Sequence, residues 1–126
     1  PPVGLAYEFA QLSPETATTC WIPAVGPQPA LALLKALAAR DGQLAKSVAD
    51  DIAWAVEPHH AITGSQEIFA SYNIQLEKIL MGASGYCKPG PIRPPYNVMP
   101  ENFAQAARES GQRFAKLREK YSRPLG

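Results

Sequence analysis

At 126 residues and 13.6 kDa the chain is long enough for one domain with a hydrophobic core of its own. Twelve basic against eleven acidic residues leave a formal charge of +1, too balanced for nucleic acid or an anionic membrane to be the principal partner. There is no apolar run near membrane-spanning length and no signal-peptide pattern, and Cys20 and Cys87 lack metal-type spacing, so a cytoplasmic protein with reduced thiols, no metal and no cofactor is expected.

In chain order, Leu5, Phe9 and Leu12 stand at i, i+4 and i+7, the spacing of a short amphipathic helix, which Ser13-Pro14-Glu15 breaks. Thr18-Thr19-Cys20-Trp21-Ile22 is β-branched and aromatic and is bounded by Pro23; it reads as one strand. A lone strand has no partner for its hydrogen-bonding edges within this chain, so either it joins strands outside the chain or it is not a strand at all. Pro29 suits a first helical turn, and Ala30 to Ala39 forms a helix with Leu31, Leu34 and Leu37 near the helical period, stopping at Asp41-Gly42. Asp41 is placed to cap a third helix carrying Leu44, Val48, Ile52 and Val56 on one face, expected to end before Pro58. Thr63 and Gln66 suggest a capping box for the next helix, Ser65 to Met81, whose stripe runs through Tyr72, Leu76, Ile79 and Leu80. Pro100-Glu101 opens a last helix with Phe103, Ala107, Ser110, Phe114, Leu117 and Tyr121 in line; basic residues fill its final turns, matching the helix dipole.

Between the last two helices lies Gly85-Tyr86-Cys87-Lys88-Pro89-Gly90-Pro91-Ile92-Arg93-Pro94-Pro95-Tyr96. Its prolines fix φ and drive the preceding residues toward extended conformations, so neither helix runs through. Such an elbow is expected to dock its two helices in one geometry, with Ile92 and the tyrosines as packing handles. Its Pro91-Ile92-Arg93-Pro94 also fits a PxxP pattern, a reading disfavoured by the helices close on either side.

This element order, together with Gly90-Pro91-Ile92-Arg93-Pro94-Pro95, resembles the C-terminal part of the dihydrodipicolinate synthase and N-acetylneuraminate lyase family, over residues 18 to 121. The resemblance implies a parent (β/α)8 TIM barrel, a class I aldolase or dehydratase that acts on a 2-keto acid through a lysine Schiff base. It implies a mostly α-helical C-terminal fragment: residues 1–40 carry the last strand and helices of a partial barrel, and residues 41–126 a C-terminal helical extension. The opening Pro1-Pro2-Val3, without an initiator methionine, fits a piece of a longer protein. A small-molecule 2-keto acid partner and a homo-oligomeric parent are implied as well.

The family's imine lysine, proton-shuttling tyrosine and carboxylate-binding threonines come from earlier strands, so no catalytic residue is carried over. Lys35, Lys46, Lys78, Lys116 and Lys120 lie in helical patterns and Lys88 in the elbow, whereas an imine-forming amine must be desolvated in a pocket. As the eighth strand, residues 18 to 22 alternate so that Cys20 and Ile22 share a face and are expected on the wall of the substrate pocket. Cys20 has no base near it in sequence, which argues against a nucleophile. His59-His60 is expected at the surface or a helix end rather than on a metal, and Asp50-Asp51 on a solvated face. Tyr7-Glu8 touches the site only if the first helix follows a barrel strand. The expected chain is catalytically silent by itself; the alternative is a non-catalytic helical interaction or scaffold module.

Overall fold

The structure, a computed structural model, describes residues 6–12 and 22–123. Those residues form helix α1 (Ala6–Leu12), a 3₁₀ turn (Ile22–Val25), α2 (Gln28–Ala38), α3 (Gly42–Thr63), α4 (Gln66–Ser84) and α5 (Glu101–Ser122), with no strand among them. Residues 18–21 of the expected strand, Cys20 included, lie outside the described residues; Ile22, its last member, opens the 3₁₀ turn.

Helix α5 is the hub, packed against α4 on one side and α3 on the other, and touching α2 and the 3₁₀ turn. Phe114 from α5 is fully buried with Leu33, Val48, Ile52, Leu76 and Leu80 from the other three long helices. Small residues let α4 and α5 approach closely. A Cβ added at Gly111 would collide with the Leu80 carbonyl oxygen and lie 2.7 Å from Ala83 Cβ.

The helix starts follow local chemistry. Asp41 caps α3 as expected, its Oδ1 accepting from the Leu44 N–H at 3.0 Å. Helix α4 is capped by Ser65, whose hydroxyl accepts from the Ile68 N–H at 3.4 Å. The expected Thr63 capping box is corrected: the Thr63 hydroxyl donates backward to the His59 carbonyl at 3.1 Å, inside α3. Helix α2 ends earlier than expected, at Ala38, because Arg40 takes a left-handed conformation (φ 55°), while Gly42 already belongs to α3.

The largest departure is at Pro58, which does not end α3. A proline in a helix interior removes its own N–H and leaves the carbonyl four residues back without that donor. Here the carbonyl is that of Trp54, and Arg113 of α5 donates to it at 2.7 Å. The adjoining His59 N–H donates to the buried Ser110 hydroxyl at 3.0 Å. Two side chains three residues apart on α5 thus service the proline turn, and α3 continues to Thr63. Arg113 also pairs with Glu109 at 2.6 Å and Glu57 at 3.1 Å, and its guanidinium carbon stands 4.9 Å from the Trp54 ring centroid.

On α2 the buried positions are Pro29, Ala30, Leu33 and Ala36, while Leu31 and Leu34 of the leucine repeat are 48% and 39% exposed. The helix is therefore apolar on two faces; among the described residues α3 and α5 cover the first, and the short α1 touches the helix without burying Leu31 or Leu34.

Candidate functional site

Of the two residues expected on the pocket wall, Cys20 lies outside the described residues and Ile22 opens the 3₁₀ turn, and the geometry that follows it is specific. The 3₁₀ turn ends at Val25, which is 1% exposed. The next residue, Gly26, has φ 112°, a conformation open to glycine, and a Cβ there would stand 2.6 Å from Arg118 Cδ. Arg118 reaches this junction from α5. Its Nη1 donates to the Val25 carbonyl at 3.3 Å and to the Ser84 carbonyl at 2.8 Å.

Val25 and Ser84 are the last residues of the 3₁₀ turn and of α4, so one guanidinium meets carbonyls at the negative ends of two helical segments. Its carbon lies 5.6 Å from the Tyr86 ring centroid, on the first turn of the elbow. The half-buried Cys87 thiol donates to the Ala24 carbonyl at 3.4 Å, a second tie from the elbow to the same turn. Farther along, Lys78 donates to the Pro91 carbonyl at 2.9 Å and fixes the elbow to α4.

These contacts refine the expected packing handles. Ile92 is half-buried, but Tyr86 and Tyr96 are 48% and 45% exposed, and Tyr86 acts as a platform for Arg118 rather than as core. The open depression beside the elbow is lined by Lys78, Ile79, Gly82, Lys88, Pro89 and Arg108 among others.

Of the other candidates, Lys35, Lys46, Lys88, Lys116 and Lys120 are exposed and Lys78 is half-buried and bound to a backbone carbonyl, so none has the dry setting of an imine-forming amine. Tyr7 is half-buried against the core and Glu8 is exposed. Of the histidine pair, His60 is exposed in the last turn of α3 as expected, and only His59 is corrected. It lies within α3, buried at 5% exposure. Burial, then the neighbouring His60, pushes the His59 imidazole down to about 4.

Asp51 is corrected too. Asp50 is exposed and pairs with Lys46 at 2.9 Å, but the half-buried Asp51 receives Lys120 at 2.6 Å and the Tyr121 hydroxyl at 2.5 Å from the end of α5. Burial, then this bond, raises the Tyr121 phenol above its usual range. Among the described residues no group of His, Cys, Asp and Glu could hold a metal ion, and no helix is long and apolar enough to cross a membrane.

No protein-family profile matches the chain. It is 37% identical over 125 residues to a trans-O-hydroxybenzylidenepyruvate hydratase-aldolase of Pseudomonas aeruginosa, a match covering 94% of this chain and 37% of that enzyme. A trans-2'-carboxybenzalpyruvate hydratase-aldolase of Nocardioides sp. (strain KP7) is 40% identical over 98 residues, covering 78% of this chain and 29% of the enzyme. A solved structure described as PhdJ bound to substrate intermediate superposes with a TM-score of 0.89 at 32% identity, over 96% of this chain and 38% of that one. The homologues are hydratase-aldolases, and the chain spans 37% of the length of the first of them. Their names are not those of the dihydrodipicolinate synthase and N-acetylneuraminate lyase family that the sequence resembles.

Proposed function

We propose that this chain is the C-terminal part of a hydratase-aldolase acting on an arylidene-pyruvate. Water adds across the double bond of the substrate to give a β-hydroxy ketone. Cleavage of the adjacent carbon–carbon bond then releases an aromatic aldehyde and pyruvate. The reaction runs through an imine between a lysine and the 2-keto carbon, which accepts the electron pair of the breaking bond. That lysine belongs to a part of the protein outside residues 1–126.

Residues 1–40 close a (β/α)8 barrel, and residues 41–126 are the helical extension. Cys20 and Ile22 form part of the substrate-pocket wall. The parent is a soluble cytoplasmic homo-oligomer, and the present chain alone is catalytically silent.

The observation that carries this reading is the alignment of 94% of the chain with the P. aeruginosa hydratase-aldolase at 37% identity. The apolar second face of α2 supports it, because a helix apolar on two faces belongs in a larger body.

The test is to express the full-length polypeptide that carries this segment and add pyruvate with borohydride. A reduced pyruvate adduct on a lysine outside residues 1–126, with release of aldehyde from trans-o-hydroxybenzylidenepyruvate, is the expected result. No adduct and no aldehyde would reject the reading in favour of a non-catalytic helical module.

A further inference from the structure

We propose that Arg118 is a positioning residue for the substrate-pocket wall: from α5 it fixes the far end of the 3₁₀ turn that Ile22 opens, two residues after Cys20 in sequence. The inference rests on the hydratase-aldolase reading for the identity of the pocket, and on geometry for the anchoring itself.

Three observations converge on one side chain. The guanidinium meets the last carbonyl of the turn, at Val25, and the last carbonyl of α4, at Ser84, by 3.3 and 2.8 Å hydrogen bonds. Its aliphatic stem fills the space a Cβ would take at Gly26, so the backbone and the arginine are fitted to one another. The Tyr86 ring stacks against it at 5.6 Å and restricts where the fork can point. Charge-assisted bonds of this kind are stronger than neutral ones, and two acceptors at helix C-termini favour a cation there.

Arg113 provides the internal comparison. It lies on the same helix and makes three polar contacts, to Trp54 and Glu57 of α3 and to Glu109 of α5 itself, all away from the 3₁₀ turn. Removing Arg113 loosens the bundle. Removing Arg118 additionally frees the segment that leads into the wall.

The experiment uses the full-length polypeptide with Arg118→Met, Arg118→Lys and Arg113→Met. A wall that has shifted weakens substrate binding, so Arg118→Met is expected to raise KM about tenfold with kcat within about threefold. Arg118→Lys keeps the charge without the fork and is expected to fall between. Arg113→Met lowers the unfolding temperature comparably but leaves KM within about twofold, since lost stability alone reduces the active fraction and therefore the apparent kcat. An unchanged KM in Arg118→Met, or an equal rise in Arg113→Met, overturns the proposal. If Arg118→Met does not fold, Arg118→Lys against Arg113→Met makes the same comparison.

A second readout needs no turnover: the alkylation rate of Cys20, followed by peptide mass spectrometry in the folded protein. It is expected to rise several-fold in Arg118→Met and to stay at the wild-type value in Arg113→Met. Should the wild-type protein show no aldolase activity, the functional reading fails, and equal Cys20 rates in the two variants would separately reject the anchoring.

Discussion

His59 couples the core to pH. Its imidazole is lowered to about 4 by burial first and by His60 second, against an unfolded value near 6.5. The folded state therefore prefers the neutral ring. Its contribution is fully present above pH 6.5 and is lost as the pH falls toward 4, because in that window the unfolded chain binds the extra proton. Moving from pH 7 to pH 5 is expected to cost on the order of 2 kcal/mol from this residue. Denaturant titrations at the two pH values should show that loss, and His59→Leu should remove most of the slope. A histidine at this position was legible in sequence only as one of an adjacent pair; its burial depends on Pro58 not ending α3, which local rules do not forecast. Asp51 is similar. Asp50 beside it is exposed, and only Lys120 and Tyr121, about seventy residues away, make Asp51 a paired group.

At the scale of elements, the close packing of α4 on α5 is the sharpest determinant. Alanine in place of glycine ordinarily favours a helix interior by about 1 kcal/mol. Gly111→Ala is expected to reverse that sign and destabilise by about 1–3 kcal/mol, because its methyl must displace the Leu80 carbonyl and the Ala83 side chain. Gly42→Ala, where a Cβ meets nothing within 4 Å, is the control and should be neutral in the same thermal melts. Four of the five helices were readable within a few residues from apolar spacing, prolines and the Asp41 cap. A single residue does not settle a helix end: Pro58 reads locally as a stop and Thr63 as a cap, and neither acts as one here. In both cases a partner distant in sequence, or a competing local bond, decided the outcome. The leucine repeat of α2 gave the helical period without naming an inner face, and it is Leu33 with Pro29, Ala30 and Ala36 that fills the core. Periodicity alone cannot choose between two apolar faces.

For the whole molecule, the second face of α2 is the feature that asks for more protein. In the full-length polypeptide Leu31→Asp is expected to lower stability by about 1–3 kcal/mol, the cost of forcing a charge into an apolar contact. If that face remains open to water, the same change should fall within about 0.5 kcal/mol, and the denaturation midpoint distinguishes the two. The catalytic reading has the same shape. Element order and the proline elbow were sufficient to suggest a 2-keto-acid enzyme, yet none of the six lysines of residues 1–126 has the dry setting an imine-forming amine requires. The junction at Arg118 escaped sequence reasoning because a basic residue near a helix end is ordinarily a solvated one.

The repair of α3 at Pro58 has a consequence for the order of assembly. Ribosomes deliver α3 roughly fifty residues before Ser110 and Arg113, so its second half leaves the tunnel with a carbonyl that its own helix cannot satisfy. That half is sealed only when α5 arrives, so nascent chains stopped short of residue 113 are expected to be cut within α3 faster than chains that include it.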